Sequence, residues 1–139
     1  MKEIKFRIFN KKTNQMEEII SYDKARNLIN DKPLYNFVNS KHETLSKLMP
    51  FTGFTDINKK EIYEYDIVEF SQSITGKPEV GLVRFYYGSF HLRLKNKEIN
   101  EDCSMMDDFN RREWLFFHII GNAYENPELL KDFKAIWEW

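Results

Sequence analysis

Short segments of alternating apolar and polar residues recur along the chain and predict β-strands. In Lys2–Phe9 the apolar residues alternate with basic ones, and Met16–Ile20 resumes the apolar pattern after the polar stretch Asn10–Gln15. An alternation with a period of two places the apolar side chains on one face of a strand. We therefore expect an N-terminal β-hairpin whose turn lies in the polar stretch.

The second half of the chain contains the longest alternating runs. Val80–Tyr87 and Phe90–Lys95 are separated by Gly88–Ser89, which predicts a tight hairpin with these two residues at its tip. A strand is also expected at Ile67–Phe70, after a turn-rich segment around residues 52–60. Trp114–Ile120 is a continuous apolar run, too short for an ordinary helix and typical of a buried strand.

Two segments predict helices instead. In Ser21–Asn30 the apolar residues fall at helical spacing, and Pro33 would end the helix. Near the C-terminus, Asn126 is a candidate N-cap and Pro127 suits the first helical position. The residues that follow form one apolar stripe at helical spacing: Leu129, Leu130, Phe133, Ile136 and Trp137.

These elements predict a mainly β (α+β) protein, with a small SH3-like barrel or strongly curved antiparallel sheet and peripheral helices. We expect an N-terminal β-hairpin and helix lobe over residues 1–49. A barrel lobe with the C-terminal amphipathic helix would occupy residues 50–139. At 139 residues the chain has the size of one domain, so the two lobes are expected to form one compact unit.

The composition restricts the class of protein. Hydrophobic residues make up 42% and charged residues 31% of the chain, as in soluble globular proteins. The formal net charge of −1 does not favour general attraction to nucleic acid or to membranes. No segment has the apolar length of a signal peptide or a membrane span, and the single cysteine cannot form an internal disulfide. We therefore expect a cytoplasmic protein with no membrane partner.

Acidic and amide side chains cluster near the middle of the chain, where a metal or acid–base site must be considered. The spacing of a calcium-binding EF-hand loop is absent, and Lys59 and Lys60 would repel a cation. The alternative is structural: Asp56 and Asn58 would stabilise a turn, and Asp66 would accept backbone N–H bonds where a strand begins. We favour the structural interpretation and expect no metal and no cofactor.

The remaining reactive residues do not form an enzyme motif. His42, His91 and His118 are far apart in sequence and show no zinc-ligand spacing. Because His118 lies in an apolar run, we expect it to be a hydrogen-bonded core residue. There is no nucleophile motif and no glycine-rich phosphate loop among only five glycines. The protein is therefore expected not to be an enzyme.

Binding of a macromolecule remains as the expected function. One candidate is a protein interface on the C-terminal helix, used for self-association or for binding a host protein, because exposed tryptophans at a chain end are typical of interfaces. The alternative is that this stripe packs on the protein's own sheet. The candidate interface residues are Phe133, Ile136, Trp137 and Trp139.

The other candidate is a surface that binds single-stranded nucleic acid, built from basic and aromatic side chains on the long hairpin. The same side chains could equally form an ordinary solvated strand face. The near-zero net charge makes nucleic acid the weaker of the two candidates. The residues of this candidate surface are Arg84, Tyr86, Tyr87, His91, Arg93 and Lys95.

Three segments of the chain resemble the YopX-like proteins of phages and prophages of low-GC Gram-positive bacteria. These are the basic-aromatic opening at residues 1–16, the central motif TGFTDINKKEIYEYDIVEF at residues 52–70 and the closing motif IIGNAYENPELL at residues 119–130. The resemblance implies a mainly β fold with an SH3-like part and a phage origin, but no established activity. It also implies an accessory factor that acts on a host component, including host defence. Tyr65 departs from the pattern, which has glycine there, and would be strained if that position requires a positive φ.

Overall fold

The computed structural model describes residues 5–19, 22–23, 28–29, 32–33, 48–71, 77–96, 103–104 and 117–133. Within these ranges the chain forms twelve β-strands and one short 3-10 helix. Packing divides the chain into two units, Met1–Phe51 and Thr52–Trp139. The predicted mainly β class with a curved antiparallel sheet is confirmed.

In the first unit, strands β1 (Phe6–Asn10) and β2 (Gln15–Ile19) form the predicted hairpin. The side chain of Asn10 begins the turn, because its Oδ1 atom accepts hydrogen bonds from the backbone N–H groups of Lys12 and Thr13 at 3.0 and 3.2 Å. On its other side, β1 pairs with the beginning of β6 (Met49–Thr55). Residues 52–55, which were predicted to belong to a turn-rich segment, instead form the end of strand β6.

The helix predicted over residues 21–30 is wrong. The described residues of this segment form strands β3 (Tyr22–Asp23) and β4 (Leu28–Ile29), which pair with each other antiparallel, and β4 also pairs with β5 (Lys32–Pro33). A ten-residue helix is marginal in water. The polar residues of this segment, including two asparagines, favour turns over helix interiors, so strand pairing prevails over the helical spacing.

A five-stranded antiparallel sheet dominates the second unit, in the order β11-β10-β9-β8-β12. Strand β7 (Glu61–Tyr63) precedes it and joins β8 through a tight turn at residues 64–65. The strands of the sheet are β8 (Asp66–Phe70), β9 (Glu79–Tyr86), β10 (Ser89–Leu94), β11 (Cys103–Ser104) and β12 (Phe117–Asn122).

The core of the second unit lies on one face of this sheet. Phe70 and Phe117 stack across the β8–β12 pair with ring centroids 5.5 Å apart, an arrangement that adds to the burial of their apolar area. The buried cluster around them contains Ile62, Val68, Val83, Phe90, Leu92 and Leu94.

The structure corrects the prediction for His118. This side chain is exposed on β12, whereas Phe117 beside it is buried. A short apolar run does not reveal by itself which residues face the core, and in β12 the neighbouring residues Phe117 and His118 lie on opposite faces of the strand.

The C-terminal segment begins with a 3-10 helix, Pro127–Leu130, and Pro127 lies in its first turn as predicted. The predicted N-cap is wrong, because the side chain of Asn126 makes no capping bond. Its Oδ1 atom instead accepts the backbone N–H of Asn122 at 3.1 Å. The rest of the predicted amphipathic helix, beyond residue 133, lies outside the described residues. No helix in the described part of the chain is long and apolar enough to cross a membrane.

Candidate interaction surface

The acidic residues of the central motif bind the protein's own backbone. In the turn formed by residues 56–60, here called the Asp56 turn, the Oδ1 atom of Asp56 accepts the N–H groups of Asn58 and Lys60 at 2.8 and 2.9 Å. Its Oδ2 atom accepts the N–H of Ile119 at 3.2 Å. One buried carboxylate therefore fixes the turn and connects it to β12, as the structural interpretation of this residue requires.

The pKa of Asp56 reflects these bonds. Burial alone would raise it, but the backbone N–H groups of Lys60, Ile119 and Asn58 stabilise the charged form, and positive charge on His118 acts in the same direction. The net result is a pKa below the ordinary value of 3.8. The carboxylate is therefore held in its ionised, hydrogen-bond-accepting form.

Glu64 is a second buried carboxylate with a structural role. Its Oε2 atom accepts the backbone N–H of Phe85 at 3.0 Å and lies 3.5 Å from Nε of Arg84. Both side chains of this ion pair are buried, and burial lowers the pKa of Arg84 while Tyr65 and Glu64 favour its charged form. Asp66 acts similarly, because its Oδ2 atom accepts the N–H of Tyr63 at 2.8 Å.

Tyr65 occupies the position where the motif has glycine, and its backbone is left-handed with φ 71°. The condition under which a tyrosine would be strained at this position, a positive φ, is therefore met. The ring of Tyr65 is buried, lies 5.1 Å from the guanidinium of Arg84 and packs edge-to-face on Tyr124 with centroids 5.5 Å apart. A left-handed conformation costs an ordinary residue roughly 1–2 kcal/mol, and this packing offsets the cost.

The second motif forms a turn that packs against the first. Oδ1 of Asn122 accepts the N–H groups of Tyr124 and Glu125, and its Nδ2 atom donates to the Glu125 carboxylate. The N–H of Ala123 then donates to the carbonyl of Tyr65 at 2.9 Å. The two motifs therefore form one interlocked structural element of the second unit. No group of three or more possible metal ligands lies within the described ranges.

Aromatic residues form the tip of the β9–β10 hairpin. Its turn is formed by Tyr87 and Gly88, with φ values of 51° and 77°, one residue earlier than the predicted Gly88–Ser89. Two consecutive positive φ values are typical of a type I′ turn, which favours asparagine or glycine at both positions. Tyr87 is nevertheless a large aromatic residue, and its side chain is 97% exposed.

Other aromatic side chains lie on the two strands that flank Tyr87. Tyr86 packs edge-to-face on Tyr87 with centroids 5.6 Å apart, and its ring also stacks on His91 at 4.1 Å and 9°. Phe85, on the opposite face of β9, is 41% exposed and packs on Phe90 at 4.7 Å. The aromatic tip, as we call Phe85, Tyr86, Tyr87 and His91, contains no charged residue, and none occurs in the sequence from 85 to 92.

The structure separates the residues of the candidate nucleic-acid surface. Arg84 and Arg93 are each only 4% exposed, so their charges do not face solvent. Lys95 is partly exposed and lies 3.7 Å from the carboxylate of Asp132. The remaining three residues, Tyr86, Tyr87 and His91, belong to the aromatic tip.

The candidate interface at the C-terminus is described only at Phe133. This side chain is buried, and its N–H donates to the carbonyl of Leu130 at 3.1 Å. Ile136, Trp137 and Trp139 lie outside the described residues, so an interface built on them stays a prediction.

Sequence reasoning missed Phe85 as a member of the exposed surface. The alternation along Val80–Tyr87 places Phe85 on the face opposite Arg84 and Tyr86, and of that face only Tyr87 was included among the candidate residues. The position of Gly88 could have revealed it. In a type I′ turn with glycine at the second central position, Tyr87 lies at the tip of the hairpin, and the residues beside the tip lie beyond the core.

Comparisons with known proteins identify the family and support the fold. The family model described as YopX protein matches residues 5–131. The structure is similar to protein EF1440 from Enterococcus faecalis, with a TM-score of 0.59 and 20% identity over 94% of this chain and 100% of that chain. It is also similar to protein YopX from Bacillus subtilis, with a TM-score of 0.54 and 18% identity over 91% of this chain and 98% of that chain. No curated protein matches the sequence.

Proposed function

The chain belongs to the YopX family, and we propose that it is a non-enzymatic recognition protein that binds a protein partner through the aromatic tip. One observation carries the proposal: Tyr87 is 97% exposed in a left-handed backbone conformation. A conformationally strained residue with no burial is a candidate for a functional contact.

The energetics of the tip support this role. Folding gains almost nothing from burial of the Tyr87 ring, while its left-handed backbone costs roughly 1 kcal/mol relative to glycine. Tyrosine is among the residues that most often dominate the energy of protein interfaces, where it fills a pocket and its hydroxyl finds a hydrogen-bond partner. A ring that does not stabilise the free protein can therefore stabilise a complex.

The charges around the tip favour a protein over nucleic acid as the partner. Binding to single strands combines base stacking with cations that contact phosphates. The tip offers rings for stacking, but the adjacent Arg84 and Arg93 are buried. An uncharged aromatic tip instead suits an apolar pocket with a polar rim on a partner protein.

The proposed absence of catalysis rests on the carboxylates. Asp56, Glu64 and Asp66 are each buried and accept backbone N–H groups, so their oxygens already serve the fold. For the biological setting, the resemblance to phage and prophage proteins supports a partner in the host cytoplasm, including a component of host defence, with a second copy of the chain as the other candidate.

Quantitative co-purification with matched variants tests the proposal. Tagged wild type, Tyr87→Asn and Asn96→Gly are expressed in a host bacterium, and the bound proteins are compared by mass spectrometry. Asn96 also has a positive φ, 63°, and is exposed, but it lies outside the aromatic tip, so Asn96→Gly controls for relief of backbone strain.

The expected result is a set of proteins that is lost with Tyr87→Asn and retained with Asn96→Gly. Retention of all bound proteins by Tyr87→Asn overturns the proposal. A parallel binding assay with single-stranded DNA at low salt addresses the alternative: binding that depends on Tyr87 and falls steeply with added salt would assign the tip to nucleic acid.

A further inference from the structure

The outer edge of β12 is covered by the Asp56 turn. On its inner side β12 pairs with β8. On its outer side, the carbonyl of Phe117 accepts the N–H of Ile57 at 2.8 Å, and the N–H of Ile119 donates to Oδ2 of Asp56 at 3.2 Å. Backbone groups two residues apart point to the same edge of a strand, so the turn occupies two successive pairing positions.

The sequence of β12 contains none of the residues that usually prevent pairing between sheet edges. Natural edge strands carry lysine, other charges or proline, or are covered by another element. The strand FHIIGN has no lysine, arginine, acid or proline. Covering by the Asp56 turn therefore protects the part of this edge from Phe117 to Ile119, ahead of the register shift between Ile119 and Gly121.

The side chain of Asp56 contributes both to the turn and to the cover. Oδ1 of Asp56 holds the turn through Asn58 and Lys60, while Oδ2 holds the strand through Ile119. Ile57, the apolar residue of the turn, is 53% exposed and provides little burial to keep the turn in place. Turn closure and edge covering are thus linked through the two oxygens of a single carboxylate.

We infer that the Asp56 turn prevents β12 from pairing with β12 of a second copy of this chain. A second copy is the fitting occupant, because antiparallel pairing of one strand with itself is a two-fold contact and this strand carries no lysine, arginine or acidic residue that would oppose its own image. The inference concerns a surface distinct from the aromatic tip and does not depend on the proposed function.

The test uses Asp56→Asn with Asp66→Asn as the matched control. The amide in Asp56→Asn keeps one acceptor oxygen, which can serve the turn or the strand but not both. In Asp66→Asn, the buried carboxylate that accepts the backbone N–H of Tyr63 is likewise replaced by an amide. This bond lies away from the outer edge of β12. Mass is measured by light scattering over a concentration series, and hydrogen–deuterium exchange is followed at Ile119.

The expected result is an apparent mass for Asp56→Asn that rises with concentration towards twice the wild-type value. Exchange at Ile119 should be faster than in wild type when the variant is dilute and slower again when it is concentrated. Adding Ile119→Pro should return the mass to the wild-type value, because proline removes the outward-facing donor. Adding Lys59→Gly should lower the apparent mass of Asp56→Asn towards the wild-type value, because glycine relieves a φ of 63° and favours the closed turn.

Two results would overturn the inference. One is a wild-type mass at every concentration for the folded Asp56→Asn variant. The other is equal association by Asp66→Asn, which would trace the effect to general destabilisation.

Discussion

Replacement of Tyr87 by asparagine should stabilise the free protein while removing the ring that we propose binds the partner. The change acts at the first central position of the type I′ turn, where φ is 51°. Asparagine followed by glycine is the preferred sequence for this turn. Relief of the left-handed tyrosine is worth about 1 kcal/mol, and the exposed ring contributes almost no burial energy.

The loss of the edge-to-face contact with Tyr86, at 5.6 Å, opposes this gain. Such pairs contribute about 0.5 kcal/mol at the weak end of their range, and both rings are solvated here. The net stabilisation is then about 0.5 kcal/mol, which corresponds to a rise in Tm of about 2–4 °C for a unit of this size.

Calorimetry of wild type, Tyr87→Asn and Tyr87→Ala measures this directly. Alanine removes the same ring but does not favour the left-handed conformation. The Tm of Tyr87→Asn should therefore be higher than that of wild type, and the Tm of Tyr87→Ala should be equal to or lower than that of wild type. If Tyr87→Asn melts below wild type, the ring contributes to the folded state, and the argument that it serves a binding partner fails.

Three further outcomes follow from the buried groups. Glu64→Gln should destabilise the protein by about 3 kcal/mol in urea unfolding, because it leaves the buried charge of Arg84 without its carboxylate; a change below about 1 kcal/mol would contradict this role. Because the pKa of Asp56 is lowered on folding, its contribution to stability should be complete above the unfolded pKa and lost as pH falls through the lower folded pKa. The free energy of unfolding of Asp56→Asn should therefore depend less on pH than that of wild type below about pH 4. Parallel curves of unfolding free energy against pH for the two proteins would refute this assignment. Tyr65→Gly should destabilise by about 2 kcal/mol, because loss of the buried ring (about 3 kcal/mol or more) exceeds the relief of φ; a stabilised Tyr65→Gly protein would show that the ring only tolerates its position.

The parts of the fold that follow from local pattern were predictable. The alternation along β9 and β10 and the hairpin β1–β2 are visible in the sequence, since a period of two over several residues is typical of a half-buried strand and not of a helix. The roles of Asp56 and Asp66 as acceptors of nearby N–H groups were also predicted, because short acidic side chains in turns bind backbone two to four residues away.

The contacts that were not predicted are mostly between residues far apart in sequence. Nothing local indicates that Asp56 also binds the N–H of Ile119, 63 positions away, or that Glu64 accepts from Phe85. The side chain of Asn126 was assigned to its own helix but binds Asn122 instead. Exposure of His118 likewise depends on which face of β12 meets the core, and the sequence of that strand alone does not specify it.

Site-specific photo-cross-linking tests the central claim most directly, namely that recognition belongs to the aromatic tip and that the motif residues serve the fold. A photoreactive phenylalanine analogue replaces Tyr87 in one variant and Asn58, an exposed residue of the Asp56 turn, in another, and both are irradiated in a host bacterium. We expect a discrete protein adduct from position 87 and none from position 58. An adduct from position 58 alone would place the contact on the motif turn and contradict the account.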